Sequence, residues 1–314
     1  MKIKNILLLI FVLFSWNTQA QMILQYDTNL SSGTTITLPL HGKVDVAVDW
    51  GDNSKEQTIT QAGNINHTYT KEGKYTVIIN GTLEHFGDKE INRKTANKLI
   101  RVKSFGELGL LSLSYAFKEA SNLIRVPHTL PTTVTTLRGM FSGASRFNQD
   151  IGNWNTGNVT NMRAMFMEAS NFNQEIGNWD VSKVTNLQAM FYYARAFNQD
   201  ISKWNTSNVT NMEAMFYEAH SFNQNISEWD VSHVTKMGIM FFGAIEFNQN
   251  IGKWNVSNVT DMGEMFYNAS AFNQDIGNWD TSQVTYMTGM FLGASSFNRD
   301  FIKDWNISNK EDLF

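Results

Sequence analysis

No cysteine occurs anywhere in the chain, so disulfides, the usual staples of exported domains, are excluded and stability has to come from packing alone. The same absence rules out a lipid anchor on an N-terminal cysteine. Charge is scarce as well: only 17% of the residues are Asp, Glu, Lys or Arg, which leaves Asn, Ser, Thr and Gln to cover much of the surface. The formal net charge of −4 becomes −6 if Lys2 and Lys4 are removed with a leader. Such a mild acidic balance offers no basic face to a phosphate backbone, and nucleic acid is not an expected partner. Beyond the N-terminal leader, no apolar run approaches the roughly 18 residues of a membrane span. Neither H-E-x-x-H, a nucleophile elbow nor a phosphate-binding glycine loop is present, and the six histidines are scattered. These absences predict a non-enzyme with no cofactor and no metal centre.

What is present begins with an export signal. Lys2 and Lys4 precede the apolar run from Ile6 to Phe14, and Thr18-Gln19-Ala20 puts small residues where a signal peptidase cuts. The expectation is cleavage near Ala20 and a secreted or cell-surface location.

Short alternating runs follow: Thr34-Thr35-Ile36-Thr37-Leu38, Val44-Asp45-Val46-Ala47-Val48 and Tyr75-Thr76-Val77-Ile78-Ile79. Punctuated by Gly, Asn and Asp, they predict antiparallel strands in a small β-sandwich. Asp49 and Asp52 supply too few oxygens for calcium, so a hydrogen-bonded turn is expected there, with His67 as a packed strand residue.

From Phe147 onward one unit recurs every 25 residues, F-N-Q-D-I-G-N-W-(N/D)-x-S-x-V-T-x-M-x-x-M-F-x-x-A-x-x, with Trp at 154, 179, 204, 229, 254 and 279. A period in this range means stacked units, each burying its apolar face against its neighbours. Val159, Met162, Met165, Phe166 and Ala169 fall at steps of three and four and predict a short helix, with Thr160 at the N-cap position and a capping box in Thr210/Glu213. The other half reads as extended, Phe147, Gln149 and Ile151 on one side and Asn148, Asp150 and Gly152 on the other. Copies would then stack as a parallel sheet about 4.8 Å apart, helices on the opposite wall. The unvarying Asn148, Asn173, Asn198, Asn223, Asn248 and Asn273 are expected to form a ladder that satisfies backbone groups of neighbouring copies. Between about residues 84 and 146 the unit is degenerate: Ala116-Phe117 and Met140-Phe141 echo the Met-Phe pair. The final copy inserts a residue before Trp305 and substitutes Lys310-Glu311-Asp312 for the usual V-T-x, which suggests either a polar cap or an array cut short from a longer one.

Two resemblances follow from these motifs. Asp49-Trp50-Gly51-Asp52-Asn53-Ser54, then His67-Thr68-Tyr69 and Gly73-Lys74-Tyr75-Thr76-Val77, resemble the polycystic-kidney-disease (PKD) type of immunoglobulin-like domain, Asn53 replacing the usual turn glycine. The 25-residue unit resembles the repeat of BspA-like leucine-rich repeat surface proteins, including the mycoplasma surface-protein form. It does so over residues 147–314, and weakly over 97–146. The resemblances imply an α/β leucine-rich-repeat-like solenoid of strand-helix units behind an all-β PKD-like sandwich, and a role in adhesion and protein binding without catalytic residues. The expected organisation is a signal peptide at 1–20, the sandwich at 21–83, degenerate repeats at 84–146 and regular repeats at 147–314.

In a repeat the invariant positions build the scaffold, so partner choice falls to the variable ones. Position four runs Asp150, Glu175, Asp200, Asn225, Asn250, Asp275 and, with position seven, forms an acidic, amide-rich stripe. Near the expected helix end a second stripe runs Met167, Tyr192, Tyr217, Phe242, Tyr267, Leu292; it either faces a ligand or packs against neighbouring helices. Two functional readings result. The preferred one is a secreted or surface protein whose stack binds an extracellular protein, from host matrix or a neighbouring cell. The alternative is a carbohydrate-binding accessory protein that stacks sugars on Tyr192, Tyr217 and Tyr267.

Overall fold

The computed structural model describes residues 20–307 and 310–314; the expected signal peptide lies outside them except for Ala20. Six strands form one antiparallel sheet: β1 (Met22–Asp27), β2 (Thr35–Asp49), β3 (Gln57–Ile59), β4 (Gly63–Thr68), β5 (Lys74–Phe86) and β6 (Leu99–Phe105). The order is β3-β2-β5-β1-β6, with β4 also beside β2. The strands expected from period-two alternation are present. They are, however, hydrogen-bonded into a single sheet, which corrects the sandwich of two sheets. The length of β2 explains the difference: its first half pairs with β4 through Thr35 to Leu40, and its second half pairs with β3 through Val46 to Val48. A register shift between His41 and Val44, with Gly42 at φ +69°, joins the halves in one strand.

At the β2–β3 turn, Asp49 accepts a hydrogen bond from the Gly51 amide and Asp52 from the Ser54 amide, at 2.8 and 3.0 Å. His67 lies 2.8 Å from Asp52 and stacks on Trp50 at 4.5 Å. The aspartates therefore shape a hydrogen-bonded turn, and His67 is packed against it.

The second correction concerns the repeats, which contain no α-helix among the described residues, only two short 3-10 helices in the final copy, Arg299–Ile302 and Lys310–Leu313. The one α-helix, α1 (Arg93–Ala96), has four residues and lies between β5 and β6. Each repeat is instead a coil of successive tight turns. In the copy from Phe147, the amides of Trp154, Val159, Met165, Met167 and Ala169 donate to carbonyls three residues back (Ile151, Thr156, Met162, Ala164 and Phe166), at 2.8–3.2 Å. The intervening amides of Met162, Ala164, Phe166 and Glu168 donate forward to Asn186, Gln188, Met190 and Tyr192 of the next coil, at 2.7–3.2 Å. In an α-helix every one of these amides would bond four residues back. Ala164 and Glu168 sit at φ 55° and 60°, which supplies the left-handed third residue of a type II turn and excludes helix. Tandem turns repeat the spacing of three and four that marks an amphipathic helix, so the apolar pattern reads the same for both. Thr210 and Glu213 correspondingly form no capping box: the Thr210 amide bonds Thr185 of the preceding coil, and that of Glu213 bonds Asn211 Oδ1.

Nor do the extended halves form a parallel sheet of leucine-rich-repeat type. Adjacent coils share single parallel bridges in one column, through Ser112, Thr136, Asn161, Asn186, Asn211, Lys236, Asp261 and Tyr286, and that column starts on His85 of β5. Buried Phe147, Gln149 and Ile151 alternate with exposed Asn148 and Asp150 as expected, without a strand. Two phenylalanine columns hold the interior. One runs through Phe147, Phe172 and Phe197 with centroids 6.0 and 6.2 Å apart; the other runs through Phe141, Phe166 and Phe191 at 5.7 and 5.8 Å. Each large side chain so buried contributes roughly 1.5–3 kcal/mol.

The Asn ladder is present. Asn148 Oδ1 accepts from the Asn173 amide, Asn173 from Asn198 and Asn198 from Asn223, at 2.9–3.0 Å, continuing to Asn298. Sheet and stack share one core. They are tied by backbone bonds from Leu83 to Leu108, Leu111 to Glu84 and Val102 to Arg125, so the sheet closes the N-terminal end of the stack. At the other end, Gly289 and Phe291 donate to the carbonyls of Asp312 and Leu313, and Phe314 stacks on Phe291 at 5.6 Å.

Candidate binding surface

Position four of the coil lies at the first residue of a tight turn. A carboxylate or amide there can accept the amide two residues on, which fixes both the turn and the side chain. Asp150, Asp200, Asn225, Asn250 and Asp275 do so, accepting from Gly152, Ser202, Ser227, Gly252 and Gly277 at 2.9–3.0 Å. For Asp200 the Ser202 amide and hydroxyl hold the carboxyl below the usual carboxylate range. Glu175 occupies the same position without that bond. All six side chains are exposed, one per coil, so the structure brings the expected stripe together as a row. Asn153, Asn178, Lys203, Glu228, Lys253 and Asn278 flank it, all exposed. Three consecutive carboxylates, Asp150, Glu175 and Asp200, concentrate the negative charge in the first regular coils.

The aromatic stripe is also continuous, but its geometry differs from either sequence reading. Tyr192, Tyr217, Phe242 and Tyr267 stack face to face with centroids 4.5 Å apart and interplanar angles of 3–13°. Each ring packs on its counterpart in the next coil, not on a helix, and is half-buried. Ring faces inside the stack are covered by their neighbours, leaving edges and hydroxyls to solvent. Burial, with Tyr192 beside it, pushes the Tyr217 hydroxyl up to about 12. Tyr193 meets Tyr192 edge-on at 4.9 Å and carries Arg195 over its ring at 5.4 Å.

The repeated Asn-Val-Thr tripeptides have a structural use. Asn158, Asn208 and Asn258 each donate Nδ2 to a carbonyl of the preceding coil, at 2.7–3.0 Å.

One surface was not read from the sequence. Arg101 and Lys103 of β6, Arg125 and His128 line an open groove of about 1000 Å3 between the sheet edge and the degenerate coil at 125–133. Although the chain as a whole is acidic, this corner is basic; Glu107 is the acidic residue in the lining. Arg101 and Arg125 are partners in a parallel bridge. Their separation of 24 equals that of Phe117 and Phe141, but Arg101 lies on β6 and not in a coil, so the repeat alone does not place them side by side.

The turn-built coil, its unvarying Asn ladder and its Phe columns define the repeat, and the family comparison falls on this part of the chain. The family described as "Mycoplasma protein of unknown function, DUF285" matches residues 111–229 and again 218–314. The chain belongs to this family. The DUF285 matches begin at Leu111, where the backbone first bonds to Glu84 of β5, and leave the six-stranded sheet outside the family region. Comparisons with curated proteins and with solved structures gave no match. No helix among the described residues is long and apolar enough to cross a membrane.

Proposed function

We propose that this DUF285 protein is a secreted or cell-surface binding protein whose coil stack presents its position-four row to an extracellular protein, in adhesion or a related contact. The observation that carries the reading is the row itself: six exposed acidic or amide side chains, one per coil, five of them held by their own turns. Fixed acceptors on a rigid frame lose little conformational entropy on binding and favour basic or donor-rich partners. Export rests on the N-terminal leader pattern. The BspA-like resemblance of the repeat agrees with this reading.

The aromatic ladder favours protein over carbohydrate. Sugar stacking requires an open ring face, and at 4.5 Å spacing the faces are already occupied. The Tyr192, Tyr193, Tyr217 and Arg195 edge suits a protein contact, where Tyr and Arg are enriched. The test is a pull-down against extracellular-matrix proteins and a polysaccharide panel with a salt series. Salt-sensitive retention of a protein, reduced at least about tenfold in affinity by Asp150→Ala/Glu175→Ala/Asp200→Ala, is expected. Unchanged protein binding by the triple variant would reject the row as the binding surface.

A further inference from the structure

The basic groove and the acidic row lie on one strip of the molecule, end to end. Arg101 is bridged to Arg125. The neighbouring Val126 exchanges two hydrogen bonds with the Gln149 side chain, at 2.7 and 3.0 Å, which places Asp150 on the next coil. The Asn148–Asn173–Asn198 ladder then carries the strip past Glu175 to Asp200. Successive coils along this strip therefore bear Arg101, Arg125, Asp150, Glu175 and Asp200, two positive rungs followed by three negative ones. All five side chains are exposed. Among the described residues none of them belongs to an ion pair within the chain.

A strip of this kind is complementary to itself when reversed. We propose that two copies of this chain associate antiparallel across it, Arg125 of each facing Asp150 of the other and Arg101 facing Glu175. A two-fold axis midway between the rungs of Arg125 and Asp150 produces four ion pairs and no like-charge contact, and it closes at two subunits because the same patch is used on both. The groove, with Lys103 and His128 on its rim, adds positive potential where the partner's acidic rungs enter. Glu107 there and Lys203 beside Asp200 reduce the contrast without reversing it. Exposed ion pairs are individually weak, so the dimer is salt-sensitive and forms only at high protein concentration. The proposal does not require the external partner proposed above; a dimer would cover part of the row and leave the aromatic ladder free.

Sedimentation velocity over a concentration and salt series tests it with three proteins. The wild type is expected to show a dimer that grows with concentration and dissolves at high salt. Arg101→Glu/Arg125→Glu and Asp150→Asn/Glu175→Lys, each alone, should weaken association at least about tenfold. Asn already occupies position four as Asn225 and Asn250, so the second variant keeps its turn. Mixed in equal amounts, the two variants are expected to regain dimer, because three of the four contacts then join opposite charges and the fourth, at the neutralised position 150, carries no repulsion. A wild type that stays monomeric at low salt, association indifferent to both variants, or a mixture that stays monomeric each overturns the proposal. If the arginine variant melts earlier than wild type, Arg101→Gln/Arg125→Gln removes the charges without adding carboxylates and is read in the same way. Retention of monomeric protein on immobilised sulfated polysaccharide or poly-glutamate would assign the groove to an external anion and also overturn the dimer.

Discussion

Two residues per coil decide that the repeat is not helical. They are the left-handed positions, occupied by Ala164 and Glu168 in one copy, by Ala189 and Tyr193 in the next, and by Gly139 and Gly143 or Gly289 and Gly293 nearer the ends. An L-residue with a Cβ there costs about 1–2 kcal/mol relative to glycine. Ala189→Gly is therefore expected to leave stability unchanged or raise it by up to about 1 kcal/mol, measured as a shift in the urea midpoint; in a helix the same change costs about 1 kcal/mol. Glycines in the middle of an apparent helical pattern were the signal available in the sequence, and they decide the matter only once tandem turns are considered. Asp52 has a testable titration. The Ser54 hydroxyl holds its carboxyl down at about 2, with His67 and the Ser54 amide adding to the effect. Its folded value lies below its unfolded one, so the stabilisation is complete above about pH 4 and disappears as the pH falls toward 2. Asp52→Asn is expected to lose about 1 kcal/mol at pH 6, with the difference from wild type vanishing across that acid range in thermal melts.

The structural element of the molecule is the coil, and its cohesion lies in side-chain ladders as much as in backbone bonds. Asn198 Oδ1 accepts both the Asn223 amide, at 3.0 Å, and Gln224 Nε2, at 2.9 Å. Asn198→Ala strands two donors and is expected to cost about 1–3 kcal/mol; Asn198→Asp, which keeps an acceptor in place, costs less. Chemical denaturation of both variants checks the order. This ladder was legible because an Asn that never varies across copies has to serve the scaffold. The same reasoning applied to Trp: the Nε1 of Trp179 donates to the Ile151 carbonyl of the preceding coil at 3.1 Å, and Trp204 donates likewise to Ile176. Carboxylates at the tight turns act within single coils. Asp180, Asp230 and Asp280 are held low by the Ser182, Ser232 and Ser282 hydroxyls and amides. Each of these turns therefore carries an acid-sensitive hydrogen bond, intact above about pH 4 and weakened as the carboxylate protonates below it.

At the scale of the whole molecule, every internal coil packs only on its two neighbours, while the six-stranded sheet seeds the column of bridges at His85. Removing residues 198–222 deletes one complete period and joins Phe197 to Asn223. The shortened protein is expected to fold with lower stability and a smaller urea m-value, because one interface is removed and the stacking register is kept. Removing residues 198–209 breaks the register and is expected to abolish cooperative unfolding, and denaturation curves of the two deletions distinguish the outcomes. The sequence by itself determined the period, the apolar ladders, the alternation in the N-terminal strands and the position-four row, because each is a matter of which residue recurs at which interval. Tertiary structure alone decided three things. It turned the Met-Phe segment into tandem turns, since an amide that can bond to the next coil need not bond four residues back. It merged the expected sandwich into one sheet, since β2 is long enough to serve β3 and β4 in turn. And it brought Arg101 beside Arg125, since strand β6 and a degenerate coil become neighbours only after the sheet docks as the first layer of the stack.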